Sequence, residues 1–474
     1  MNCNMKTNEE IKSYEEVDSS FTDYTRFEDV AKRRAVEKYA FMHNRIYTPN
    51  FKYPKLDFLI DDETIPEKKT KILEAIMELE AAKANPDVNA AELELYADFH
   101  ETRLKRILLV EAARNISNPI VSEDYEVNRD SFAELNAELY GEFNDSYYLG
   151  ILDTEKKRLS GFKPKSEIES NLKYELGLFF DGFDTCGQVE KELFDEASIL
   201  RLHEYVMERY EAIFKVVPKT PDDVYFDVSE CVAIMNDALK AGGLFDLGWR
   251  VVEDEKKIAV STLTSKKKIR LPSDISRNSN ELCRLIIHEQ EVHARRGQNG
   301  QDTGIKILSK GTADYADIEE GLAIMLECAV AGKMDNSSFD RARDRYITAG
   351  LALGIDGYQR DARETYEILW RILAIRKAER QDIDEELIYE TQEKAYELIE
   401  NAYRGTQFWM KGVIYTKLKI YYEGFVKSAD YFKDHMDNLD LTFEDLFLAK
   451  YNHISQTEKA LVKKAIEHNS RSKN

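Results

Sequence analysis

The sequence predicts a mainly α-helical chain carrying one small antiparallel β-sheet, an α+β class. Two observations carry this expectation. Apolar residues recur at helical spacing through most of the chain, and the period changes only between about 220 and 272, where three short β-branched runs lie close together. Hydrophobic residues make up 43% and charged residues 33% of 474 positions, a globular composition. No stretch approaches the roughly 20 consecutive apolar residues that a membrane span requires.

Taken in order, residues 1–30 are polar and acidic and are expected to fray as a disordered tail. Residues 31–215 read as a helical N-terminal domain. Within it, Lys69 to Ala84 places Ile72, Leu73, Ile76, Met77 and Leu79 near helical spacing, and Asn85-Pro86 stops the run. A second helix is expected from Ala90 to Asn115, with Leu93, Leu95, Leu104, Ile107 and Leu108, and a third from Glu192 to Val216. The β-branched runs are Trp249 to Val252, Ile258 to Leu263 and Lys268 to Leu271. Helical periodicity then resumes, broken near Gly300, Gly354 and Gly405, so that 216–474 reads as a second domain.

Charge excludes several roles. The formal net charge is −22, from 67 basic and 89 acidic residues, which opposes general nucleic-acid binding and anionic membrane surfaces alike. The N-terminal residues have no apolar region of the secretory kind. Five scattered cysteines give no disulfide framework, and a reducing, cytoplasmic location is expected.

One segment carries chemistry: Leu285 to Arg296, with His288-Glu289 and then His293. Asn278 and Glu281 form a capping-box pattern ahead of it. Leu282, Leu285, Ile286, Glu289 and His293 fall on one helical face, apolar at its start and ionisable at its end. Zinc favours imidazole and carboxylate ligands and, in catalytic sites, leaves a position for water. The zincin motif is His-Glu-x-x-His, whereas the spacing here is His-Glu-x-x-x-His. On an ideal α-helix, five residues separate two side chains by roughly 140°. A π-bulge returns them to nearly one face, and one is expected within Glu289 to His293. A third ligand is offered by Asp317 to Glu327, where Glu320 follows the second His by 27 positions and Gly321 and Ala323 permit close approach of another backbone.

The ordered series of His-Glu-x-x-x-His, Arg296, Asn299-Gly300 and Glu-Glu-Gly-Leu-Ala (319–323) resembles the microtubule-associated tyrosine carboxypeptidase family. Its bacterial relatives carry Gln-Glu-Gly-Leu-Ala. The similarity runs from about Trp249 through Tyr422 and includes Ile269-Arg270-Leu271-Pro272, Arg404-Gly405-Thr406 and Gly412 to Lys417. The resemblance implies a zincin-like metallopeptidase core, with His288, His293 and Glu320 as zinc ligands and Glu289 as catalytic base. Glu320 is preferred to Glu319 because the bacterial motif keeps only the Glu before the Gly. The chain departs from the family at Gln290 and Glu291, where small or apolar residues are expected.

The expected reaction is zinc-dependent hydrolysis of a C-terminal residue, aromatic or apolar, from a peptide or protein. A cation is then needed for the terminal carboxylate, with Arg404, Arg296 and Lys417 as candidates, and Tyr315, Tyr415 and Tyr421 are candidate oxyanion donors, Tyr415 being the one carried as a substrate contact. Aminopeptidase or endopeptidase action on the same site stays open, as does a zinc-stabilised scaffold without activity.

Overall fold

The computed structural model describes residues 38–43, 64–85, 89–117, 125–182, 193–255, 257, 259–334, 337–404 and 406–471. The expected N-terminal tail, 1–30, lies outside them. The described residues are mainly helical with a single three-stranded sheet. Among them, no helix is long and apolar enough to cross a membrane. They pack as two compact units that interleave along the chain. The first unit comprises the described residues within 38–75, 102–192 and 342–419, and the second those within 76–101, 193–341 and 420–471.

The two early helices form where the apolar periodicity places them, over Thr64–Ala82 and Ala90–Ser117. The third expected helix is divided into Glu196–Arg209 and a short Glu211–Phe214, with Tyr210 out of helical geometry between them. In the first unit, the helix Ala362–Lys377 packs against Glu385–Ala402, Glu167–Asp181 and Asp145–Gly161. Buried Glu155 is matched there by Arg343 at 3.3 Å and Arg376 at 2.8 Å, with Arg158 also paired to it. Burial alone would raise this carboxyl, but the three guanidiniums bring it down to about 2.

The second unit holds the sheet: β1 (Arg250–Glu253), β2 (Ser261–Leu263) and β3 (Lys268–Leu271). The expected antiparallel sheet is corrected to a mixed one. The order is β1-β3-β2, with β2 antiparallel to β3 but β1 parallel to it. The chain does reverse at each connection, through a 3₁₀ turn at Thr264–Lys266 and left-handed Lys267 in the second case. What differs is the order of neighbours. β3 carries Ile269 and Leu271, both fully buried, while every residue of β2 is half-buried. The most deeply buried strand therefore takes the centre, which places two strands of the same direction side by side.

Beneath the sheet runs the helix Val228–Ala241, capped by Asp227 and Glu230 and burying Cys231, Met235, Ala238 and Leu239. Two further helices of this unit, Ala316–Ala331 and Ile420–His435, touch backbone to backbone. A Cβ on Gly321 would lie 2.0 Å from the carbonyl carbon of Gly424, and one on Gly424 would lie 1.9 Å from the carbonyl oxygen of Asp317. The approach expected at Gly321 is made by this glycine pair.

Candidate metal centre

The segment that carries His288 begins as an α-helix, Ser279–Leu285, on the expected capping box of Asn278 and Glu281. It then widens into a π-helix over Ile286–Arg295 and closes back into an α-helix over Arg296–Asp302. The expected bulge is thus a π-helical stretch of 10 residues. Each π turn holds one more hydrogen-bonded residue than an α turn, so positions i and i+5 come round to one side. The rings of His288 and His293 stand with centroids 4.8 Å apart.

Glu320 meets them from the helix Ala316–Ala331. Its carboxylate oxygens lie 3.9 Å from His288 Nε2 and 4.0 Å from His293 Nε2. One ligand atom from each of the three residues falls within 4.8 Å of the others. Two imidazole nitrogens and a carboxylate are the donor set that zinc favours, and their convergence fits a shared metal. The three side chains keep 19%, 12% and 29% of their surface open, so the group can be reached from solvent.

Both imidazoles are held at their far nitrogens by carboxylates. His288 Nδ1 lies 2.7 Å from Glu327 Oε1, and His293 Nδ1 lies 3.0 Å from Glu319 Oε1. This is the outer-shell arrangement that orients ligating histidines. Glu319 is itself buried behind His293, where Arg296 and Lys450 pair with it. Burial alone would raise its carboxyl, but those two cations hold it well below the usual range. Around His288 the opposite balance operates. Burial would lower the imidazole, yet the hydrogen bond and charge of Glu327, with Glu289 and Glu320 beside it, push it up to about 9.

Glu289 is buried, 6% exposed, and lies outside the converging group. Thr262 on β2 donates its hydroxyl to Glu289 Oε2 at 2.6 Å, so the edge strand fixes this carboxylate. The polar pair Gln290 and Glu291 serves a different neighbour. Gln290 Nε2 donates to the Ala238 carbonyl at 3.0 Å and to Glu291, while Arg295 donates to Glu291 and to the Gly242 carbonyl at 2.7 Å. These contacts tie the π-helix to the C-terminal end of Val228–Ala241, where the Ala238 carbonyl also accepts from the Gly242 N–H, which explains a departure from apolar residues at 290 and 291.

The remaining expected residues are placed differently. Arg296, expected at a substrate carboxylate, is corrected to an internal role. It is fully buried, and its guanidinium is committed to Glu319 and to the Tyr451 carbonyl at 2.9 Å. Arg404, Tyr415 and Lys417 belong to the first unit. There Arg404 donates to Asn401 at 2.6 Å, and the Tyr415 hydroxyl shares a hydrogen bond with that of Tyr140 at 2.9 Å.

Glu327, Ser338, Thr262 and Lys450 escaped the sequence reading. One of them had a signal: Glu327 stands seven residues after Glu320, two turns on and so on the same helical face. The other three reach the group only through tertiary packing.

A π-widened helix presenting two imidazoles, with a carboxylate from a second helix and a tethered carboxylate beside them, makes a group that could hold a metal ion. Residues 184–467 match the family model for microtubule-associated tyrosine carboxypeptidase, and the chain belongs to that family. The match extends beyond the motif-bearing stretch at both ends. Membership implies carboxypeptidase-type action, with a peptide or protein as substrate. No curated protein and no solved structure was found to match the chain.

Proposed function

We propose that the chain is a zinc-dependent carboxypeptidase that removes an aromatic or apolar C-terminal residue. The observation that carries this reading is the convergence of His288, His293 and Glu320, with Glu289 tethered beside them by Thr262. His288, His293 and Glu320 would hold the zinc. When bound, zinc supplies Lewis-acid polarisation of the scissile carbonyl and lowers the pKa of a water. Glu289 takes the proton of the attacking water and delivers it to the leaving amine. Thr262 keeps the Glu289 carboxylate aimed while that proton is exchanged. Arg404, Lys417 and Tyr415 as substrate contacts belong to this proposal through the family resemblance alone. So does a catalytic segment over 216–474. A reducing cytoplasmic location also belongs to this proposal, on five scattered cysteines whose spacing gives no disulfide framework.

The reading is tested with the zinc-loaded chain on paired peptides ending in Tyr, Phe or Leu, one with a free carboxylate and one amidated. Mass spectrometry is expected to show loss of one terminal residue from the free form only. Equal cleavage of the amidated form would sink carboxypeptidase action.

Metal loading should also release a proton. His288 must offer Nε2 as a lone pair, yet in the metal-free chain it keeps its proton up to about pH 9. Titration calorimetry near pH 7.5 in two buffers of different ionisation enthalpy should report close to one proton released per zinc. Apparent affinity should climb about tenfold per pH unit below that value from this group. The folded pKa lies above the ordinary value, so the sign is fixed. His288 stabilises the metal-free fold below about 6.5, and that contribution is lost as pH rises through about 9. Heats independent of buffer would contradict this.

A further inference from the structure

We propose that Glu327 is a positioning residue that fixes the tautomer of His288, and that Arg341 and Ser338 set the direction of donation in this chain of hydrogen bonds. The inference rests on the metal reading above. Arg341 donates to Ser338 Oγ at 2.9 Å. A guanidinium has five donors and no acceptor, so Ser338 accepts there and turns its own hydroxyl hydrogen onward. That hydrogen goes to Glu327 Oε2. The other oxygen, Oε1, faces His288 Nδ1 at 2.7 Å. An ionised carboxylate only accepts, so Nδ1 keeps its proton, and Nε2, which faces Glu320 at 3.9 Å, is the nitrogen left to give up its own proton and ligate.

The elements make the arrangement stiff. Ser338 and Glu327 are both buried, and Glu327 shares one helix with Glu320, so ligand and positioning residue move together. The His293 side is built otherwise: Glu319 is fixed by the charges of Arg296 and Lys450. On the His288 side a neutral hydroxyl, oriented by Arg341, occupies one oxygen of Glu327 as donor and, with the charge of Arg341 behind it, keeps the carboxylate an acceptor toward Nδ1.

The test is zinc affinity of the metal-free full chain, by competition with a chromogenic chelator. Wild type is compared with Glu327→Gln, Ser338→Ala, Ser338→Thr and His288→Ala. Glu327→Gln keeps shape, but its amide can turn an N–H toward Nδ1 and push the proton onto Nε2. Zinc should then bind roughly 10- to 100-fold more weakly. Ser338→Ala should weaken binding by less, and Ser338→Thr, which restores the hydroxyl, should recover it. A purely structural role would not follow hydroxyl donation in this way. Nitrogen-15 spectra of histidine-labelled, zinc-loaded wild type should show His288 protonated at Nδ1 and ligating through Nε2. If Glu327→Gln does not fold, the Ser338 pair and these spectra decide. Zinc affinity of Glu327→Gln within twofold of wild type, while His288→Ala loses zinc, overturns the proposal alone, as does ligation through Nδ1. Full zinc binding by His288→Ala overturns the metal reading and this proposal with it.

Discussion

Replacing Glu289 with Gln should lower turnover by roughly 10²- to 10⁴-fold, the range a positioned general base contributes, while zinc content is retained. That loss corresponds to about 3–5 kcal/mol of barrier. The substitution is unusually clean here. Glu289 lies outside the group of converging ligand atoms, so the donor set is untouched. Its Thr262 partner donates at 2.6 Å, and a Gln carbonyl at the same place still accepts that bond. Shape, burial and tether are therefore kept, and only the ability to take a proton is removed. The effect should fall on kcat, since the lost interaction belongs to proton transfer and not to ground-state binding. The measurement is zinc by elemental analysis alongside rates on a free-carboxylate peptide. Wild-type hydrolysis with zinc retained would remove Glu289 from its role. Loss of zinc would make it a ligand.

Much of this centre was legible in the sequence because it is written in local spacing. The five-residue interval between His288 and His293 is incompatible with a shared face of an α-helix, and this, taken with two ligands that must converge, predicts the widened turn now seen over Ile286–Arg295. The Asn278 and Glu281 cap was equally local. The assignment of Glu320 over Glu319 needed the family motif, since two adjacent acids differ only in the direction each takes from the helix. What stayed hidden depends on distant segments. Arg296 carries the same charge whether it faces a substrate or a buried acid, and only the packing of Glu319 and the Tyr451 carbonyl against it decides. The sheet order was hidden for a similar reason: period-two patterns give strands but not neighbours. The helix Val228–Ala241 did leave a trace, in the Asp227 and Glu230 box and its 231, 235, 238 apolar spacing, although it lies in the stretch, 220–272, whose later β-branched runs point to strands.

Gly424→Ala should destabilise the chain by about 3 kcal/mol or more and weaken zinc binding along with it. Ordinary expectation runs the other way, because Gly to Ala in a helix interior gains about 0.5–1 kcal/mol through reduced backbone entropy. Geometry overrules propensity here. The added Cβ would stand 1.9 Å from the Asp317 carbonyl oxygen and 2.7 Å from its carbon. Both are backbone atoms, so no rotamer change relieves the clash, and the helices Ala316–Ala331 and Ile420–His435 must separate. Overpacking of cores costs typically about 1–3 kcal/mol, and a contact of main chain on main chain belongs at or above the upper end. The strain falls within one turn of Glu319 and Glu320, which ties stability to the metal group. Gly321→Ala should behave alike, since its Cβ would meet Gly424 from the opposite side at 2.0 Å. Gly177→Ala supplies the contrast: it lies in the helix Glu167–Asp181 with nothing within 4 Å of a new Cβ. It should therefore be neutral or stabilising by up to about 1 kcal/mol. Chemical denaturation of the three variants and zinc competition on each give the comparison. If Gly424→Ala matched Gly177→Ala in both, the backbone contact would not be what holds the acidic helix against its partner.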